Sequence, residues 1–175
     1  MKRQMGRVRW VVVPLGLTAA AAIAWTVGFP SGASGSAPEN DPALERTRTQ
    51  ARMLDDLLKV AIVDITNRYD GPPAAKVAKA IFAAAQDKEY FKAKLLDATG
   101  APQNEANVPQ DGFEKRAAKA MTEGKTYLEE VVGMGQARRL RVATVVHAVL
   151  QKCAKCHGVK QGDLLGFLSY DLPLK

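Results

Sequence analysis

Arg139-Leu140-Arg141-Val142-Ala143-Thr144-Val145-Val146-His147-Ala148-Val149 is the stretch that decides the fold. In an extended chain Leu140, Val142, Thr144 and Val146 share one face, and Arg139, Arg141, Ala143, Val145 and His147 share the other. β-branched residues at that period predict a long strand over 139–149. Upstream, Tyr127 to Val132 is also β-rich, and Gly133 to Gln136 offers a hairpin turn between the two. Downstream, Asp163 to Tyr170 reads as a final strand. A bundle of helices alone does not accommodate these segments.

The earlier part of the chain has a different period. Asp41-Pro42 reads as an N-cap followed by proline in the first turn. Leu54, Leu57, Leu58, Ala61, Ile62, Ile65 and Tyr69 then recur at helical spacing until Asp70-Gly71-Pro72-Pro73 stops them. A second helix carries Val77, Ile81 and Phe82 on one side, with alanines short enough to let it approach the first. Phe91, Ala93 and Leu95 alternate with Lys92 and Lys94, as in a half-buried strand. Gly100-Ala101-Pro102 ends that strand and opens a polar loop through Gln110. Asp111 and Glu114 form a capping box before a short helix marked by Phe113, Ala117 and Met121. Helices first and adjacent antiparallel strands afterwards give an α+β class, with N-terminal helices packed on an antiparallel sheet.

Cys153-Ala154-Lys155-Cys156-His157 follows the long strand directly, and uses both cysteines and one of the two histidines of this 175-residue chain. Cys-x-x-Cys-His is the attachment signature of c-type haem. Two thiols about one helical turn apart can each form a thioether to a porphyrin vinyl group, and the adjacent imidazole then binds the iron. Competing chemistries fit less well. A dithiol redox pair calls for a thioredoxin-like βαβ pattern ahead of it, which this sequence lacks. A structural zinc site needs four ligands, and Cys153, Cys156, His157 and His147 exhaust the soft donors at spacings unlike a finger.

One covalent haem c is therefore expected, bound by Cys153, Cys156 and His157, with His157 as the metal ligand, on a short helical turn near the C-terminus. The sixth iron position is read as open or water-bound, with His147, Met53 and Met121 as alternative ligands. A thiolate is excluded there, because no third cysteine exists. Tyr69 and Phe82 are candidate walls of the haem pocket, and Arg139, Arg141 and Lys155 candidate partners for its propionates.

The N-terminus has the layout of an export segment. Lys2, Arg3, Arg7 and Arg9 precede an uncharged run from Trp10 to Phe29 and a Pro/Gly/Ser/Ala-rich stretch from Pro30 to Ala37. Residues 1–37 are thus a signal peptide or, uncut, a membrane anchor with a small-residue linker, and 38–175 a single c-type haem domain. Either way the domain is expected in the periplasm or at the outer face of the cytoplasmic membrane. Net charge is +7, but taking those four basic residues from 25 leaves 21 against 18 acidic ones. That balance leaves no dense basic stripe for phosphates and argues against nucleic acid as a partner. Glu129 and Glu130 face opposite ways on their strand, and neither a nucleophile–base constellation nor a phosphate loop is present. The reading is not that of an enzyme.

Several ordered motifs carry a family resemblance. Leu95 to Asn104, Asp111-Gly112-Phe113-Glu114, Gly124-Lys125-Thr126-Tyr127 and Leu140 to Thr144 are among them. So are Cys153 to Gly158, Gly162-Asp163, Gly166, Ser169 and Pro173-Leu174. Together they resemble an uncharacterised family of exported single-haem c-type domains with a PAS-like fold, over roughly residues 50–175. Its members occur alone or fused to histidine kinases and chemoreceptors. The resemblance implies haem-based redox or sensory function. This chain departs from it at Val145 to Val149, where relatives often carry proline. The leading expectation is a mono-haem cytochrome that transfers electrons to a redox partner protein; the alternative is a redox or gas sensor module acting through a separate signalling partner.

Overall fold

A computed structural model of the chain describes residues 41–70 and 74–175; the leader expected over 1–37 lies outside them. Helix α1 (Pro42–Arg68) begins where the Asp41 carboxylate accepts hydrogen bonds from the backbone N–H groups of Ala43 and Leu44. Pro42 fits there because its fixed φ suits the first turn and it has no N–H to satisfy. Leu44, Thr47, Ala51, Asp55 and Leu58, three and four apart, form the buried stripe of α1. Then come α2 (Ala74–Asp87), β1 (Lys92–Asp97), α3 (Gly112–Thr122), β2 (Tyr127–Val132), β3 (Arg139–His147), α4 (Gln151–His157) and β4 (Leu164–Pro173). Among the described residues, no helix is long and apolar enough to cross a membrane.

The strands make a four-stranded antiparallel sheet in the order β1-β4-β3-β2. β2 and β3 form the expected hairpin, and the last strand inserts between β1 and β3. Residues 166–170 of this central strand are all buried, because both faces of the sheet are covered. On one face Leu44, Ala51 and Leu58 of α1 and Phe82 of α2 meet Leu140, Val142, Leu168 and Tyr170. On the other, Phe113, Ala117 and Met121 of α3 meet Leu96, Ala143 and Phe167. The N-terminal helices thus cover one face of the sheet, as expected, and α3 adds a third layer on the other. The capping box of α3 forms as expected between Asp111 and Glu114. Glu114 is buried, and its carboxylate also accepts from Lys94 Nζ at 2.6 Å, which ties α3 to β1.

Three details differ from the sequence reading. α2 buries Ala74, Ala78 and Phe82 while Ile81 is exposed, because the short alanines allow the closest approach to neighbouring elements. β3 stops at His147 rather than Val149: the Ala148 N–H donates to Asp163 O and the Val149 N–H turns back to His147 O, each at 2.9 Å. The arginines beside Leu140 are paired, Arg139 with Asp171 at 2.5 Å and Arg141 with Asp111 at 2.7 Å. Arg141 also lies over the Phe113 ring, 4.5 Å from its centroid.

Candidate functional site

β1 and β3 finish and β4 begins at the same end of the sheet, where Asp97 pairs with Gly166 and His147 with Leu164. α1 runs on past Leu58, the last residue it buries, for ten residues more, to Arg68. Between this overhang and the sheet end is a cavity of about 1170 Å³. Ile62, Val63 and Ile65 of α1 and its C-cap Tyr69 line it, together with Leu95, Val145, Val146 and His147 from the sheet. Cys153, Cys156 and His157 of α4 complete the lining. The wall is largely apolar: Ile62, Leu95, Val145 and Val146 also touch the core, while Tyr69 is 66 % exposed and Val149, also at the cavity, 48 %. Ligand cavities commonly span ~300–1,000 Å³, so this one has room for a large, mostly apolar guest.

α4 is a short excursion between β3 and β4, and its base is clamped. The Gly162 N–H donates to Ala148 O at 2.9 Å, opposite the Ala148–Asp163 bond. Lys152 Nζ reaches Asp70 Oδ1 at 2.7 Å and Asn67 O at 3.3 Å, fixing the start of α4 to the end of α1. Lys152 accordingly holds the Asp70 carboxyl below its ordinary pKa, by hydrogen bond and by charge. At the far end Gln103 Nε2 donates to Cys156 O at 2.8 Å. Gly158 ends the helix with φ +68°, a left-handed conformation that a side chain would strain. A second glycine is needed for a different reason. At Gly166 a Cβ would stand 2.1 Å from Leu96 O, so only glycine lets β1 and β4 meet this closely beside the cavity.

Cys153 is half-buried and Cys156 exposed, and both are free thiols. Tyr69, Lys155 and His147 stand at the same cavity, as do Lys59 and Lys152. Met121, on the buried face of α3, is 3 % exposed and Met53, on α1, 57 % exposed, and neither lines the cavity. Phe82 belongs to the core under α2, and Arg139 and Arg141 are engaged by carboxylates elsewhere, so these three candidates are not brought to the site. Among the described residues, no three His, Cys, Asp or Glu side chains gather into a metal-binding group. Lys59, Lys152 and Gln103 escape sequence reasoning, since lysines and a glutamine carry no local signal for such a place.

Comparison with known proteins reaches most of this region. The family model described as Tll0287-like matches residues 36–167. The chain belongs to the Tll0287-like family. Among solved structures it is similar to the cyanobacterial heme-protein Tll0287, with a TM-score of 0.55 and 14 % identity. That match covers 78 % of this chain and 98 % of the other. At that identity the likeness speaks for the fold. No curated protein matches the chain.

Proposed function

We propose that this member of the Tll0287-like family is an exported mono-haem c-type cytochrome that passes single electrons between partner proteins. One observation carries the reading: both thiols of the Cys-x-x-Cys-His run and its imidazole line one apolar-walled cavity. The residues fit haem in three respects. Cys153 and Cys156 are unpaired thiols one turn apart on a helix, as two thioethers require. Ile62, Val63, Ile65, Val145 and Val146 offer an apolar wall to a flat macrocycle. Lys155 offers positive charge for the carboxylates of such a group. That the solved relative is a heme-protein supports the same cofactor. When bound, haem supplies an iron that changes oxidation state by one electron. The chain's own residues anchor it through Cys153 and Cys156, bind the metal through His157, and keep water from the α1 side.

The basic start and uncharged run before residue 37 support export to the periplasm or retention at the outer face of the membrane. The antiparallel sheet with flanking helices is compatible with a PAS-like domain. We read the protein as a carrier rather than an enzyme. The test is direct: Cys153→Ser with Cys156→Ser, expressed in a host that matures c-type haem, loses the covalent pyridine haemochrome signal and the haem mass completely. Full retention of both would sink the proposal. Reversible one-electron reduction without carbon monoxide uptake is the expected behaviour of the haem-loaded protein; avid uptake would favour the sensor alternative.

A further inference from the structure

Two imidazoles, not one, stand at this cavity. His147 closes β3 where the register with β4 slips: Val146 pairs with Gly166 and His147 with Leu164, so Leu165 is left over as a bulge. The backbone before it is held by the pairing of Val146 with Gly166, and the backbone after it by the Ala148–Asp163 and Val149–His147 bonds. The strand end is therefore fixed, while the His147 side chain is exposed, lines the cavity, and makes no hydrogen bond among the described residues. His157 lines the same cavity from α4.

Other electron-pair donors at the cavity are less suited. Lys59 Nζ is bonded to Asp55 Oδ2 at 2.8 Å, and Lys152 Nζ to Asp70. Lys155 and Tyr69 would each have to give up a proton before binding a metal, whereas a neutral imidazole already offers a lone pair. Met53 and Met121 do not line the cavity. We propose that His147 supplies the second axial nitrogen to the iron, so that two histidines hold it and no coordination position is vacant. This inference rests on the haem reading above and replaces the open sixth position expected from sequence. It also favours electron transfer, since a gas would first have to displace the imidazole.

The haem-loaded full chain tests it by optical and electron paramagnetic resonance spectra of the oxidised form, and by exposure of the reduced form to carbon monoxide. The expected wild-type result is a low-spin iron that takes up no carbon monoxide. His147→Ala should retain covalent haem, turn high-spin and bind carbon monoxide fully, and added imidazole should restore the low-spin spectrum. His147→Gln, which keeps a polar side chain at the same exposed place, should behave as the alanine variant does. High-spin iron or carbon monoxide binding in the wild type overturns the proposal, as does an unchanged spectrum in either variant. Absence of covalent haem from the wild-type chain would instead bring down the haem reading, and this inference with it.

Discussion

The two halves of α1 carry similar apolar residues and meet different fates. Through Leu58 the helix lies on the sheet, and Leu44, Ala51 and Leu58 are buried against Leu140, Val142 and Leu172. Beyond Leu58 only Ile62 still touches that core, and Val63, Ile65 and, just past the helix, Tyr69 are left along a cavity. Apolar surface costs roughly 25 cal/mol per Å² while it stays in water, so a wall of this kind is unfavourable unless something covers it. The difference teaches that the fold completes its own core at one end only. The other end leaves an apolar-walled cavity with room for a guest.

Paired substitutions break this comparison if it is wrong. Leu58→Ala should lower unfolding stability by about 2–5 kcal/mol, as for other buried leucines, with and without haem attached. Ile65→Ala, at a half-buried position, should cost the haem-free Cys153→Ser, Cys156→Ser chain about 1 kcal/mol, less than Leu58→Ala does. In the haem-loaded protein it should cost about 1–2 kcal/mol more, from the methyl and methylene groups that the guest covers. Denaturant titration of the four proteins measures all of these. Equal costs at Ile65 in loaded and unloaded chains would show that nothing seals the second half of α1.

A smaller change probes the strand junction beside the cavity. Gly166→Ala places a methyl group against Leu96 O, which is backbone and cannot swing away. β1 must move off β4, and overpacking of this sort costs about 1–3 kcal/mol. The loss should appear in denaturant midpoints, with faster amide exchange at Leu96 and Asp97, which face Phe167 and Gly166 in the register. Unchanged exchange there would mean that the cavity edge tolerates the separation, and that the close approach does not set its shape.

Much of this arrangement is legible along the chain, and the illegible part has a physical cause. Period alone locates α1, β1, α3, the β2–β3 hairpin and β4, because each buries one face or both. Spacing alone marks Cys153, Cys156 and His157, since thioether attachment is a local chemistry. The opposed fates of Glu129, paired with Arg48 of α1, and Glu130, paired with Arg116 of α3, follow from strand alternation. The strand order does not follow from period: β4 reads as a last strand, and nothing local says that it enters between β1 and β3. Likewise Ile65 and Leu58 look alike on a helical wheel, and only the length of the sheet separates core from cavity wall. Arg141 looked like an anion partner because its engagement with Asp111 and Phe113 spans distant elements.

The smallest expected effect concerns the sealed face opposite α1 and is set by acid. The Asp111 carboxyl is pushed up by partial burial but brought below its ordinary range by the Arg141 hydrogen bond, the Glu114 backbone N–H and the Arg141 charge. A carboxyl depressed in the folded state binds its proton less readily there than in the unfolded chain. Its contribution is therefore present above the unfolded pKa, near 4, and is lost as pH falls through the folded value. On the α1 side Glu129 is shifted the same way: burial raises it, but hydrogen bonds from Arg48 and Tyr127 prevail. Stability should thus decline as pH drops below about 4. Asp111→Ala, which also removes the α3 cap, should cost about 1 kcal/mol at neutral pH and flatten part of that acid slope. Because α3 lies across the sheet from the α1 overhang, the same variant should leave haem attachment and the optical spectrum untouched. A spectral change in Asp111→Ala would show that the sealed face and the cavity are one cooperative unit, contrary to the contrast drawn between them.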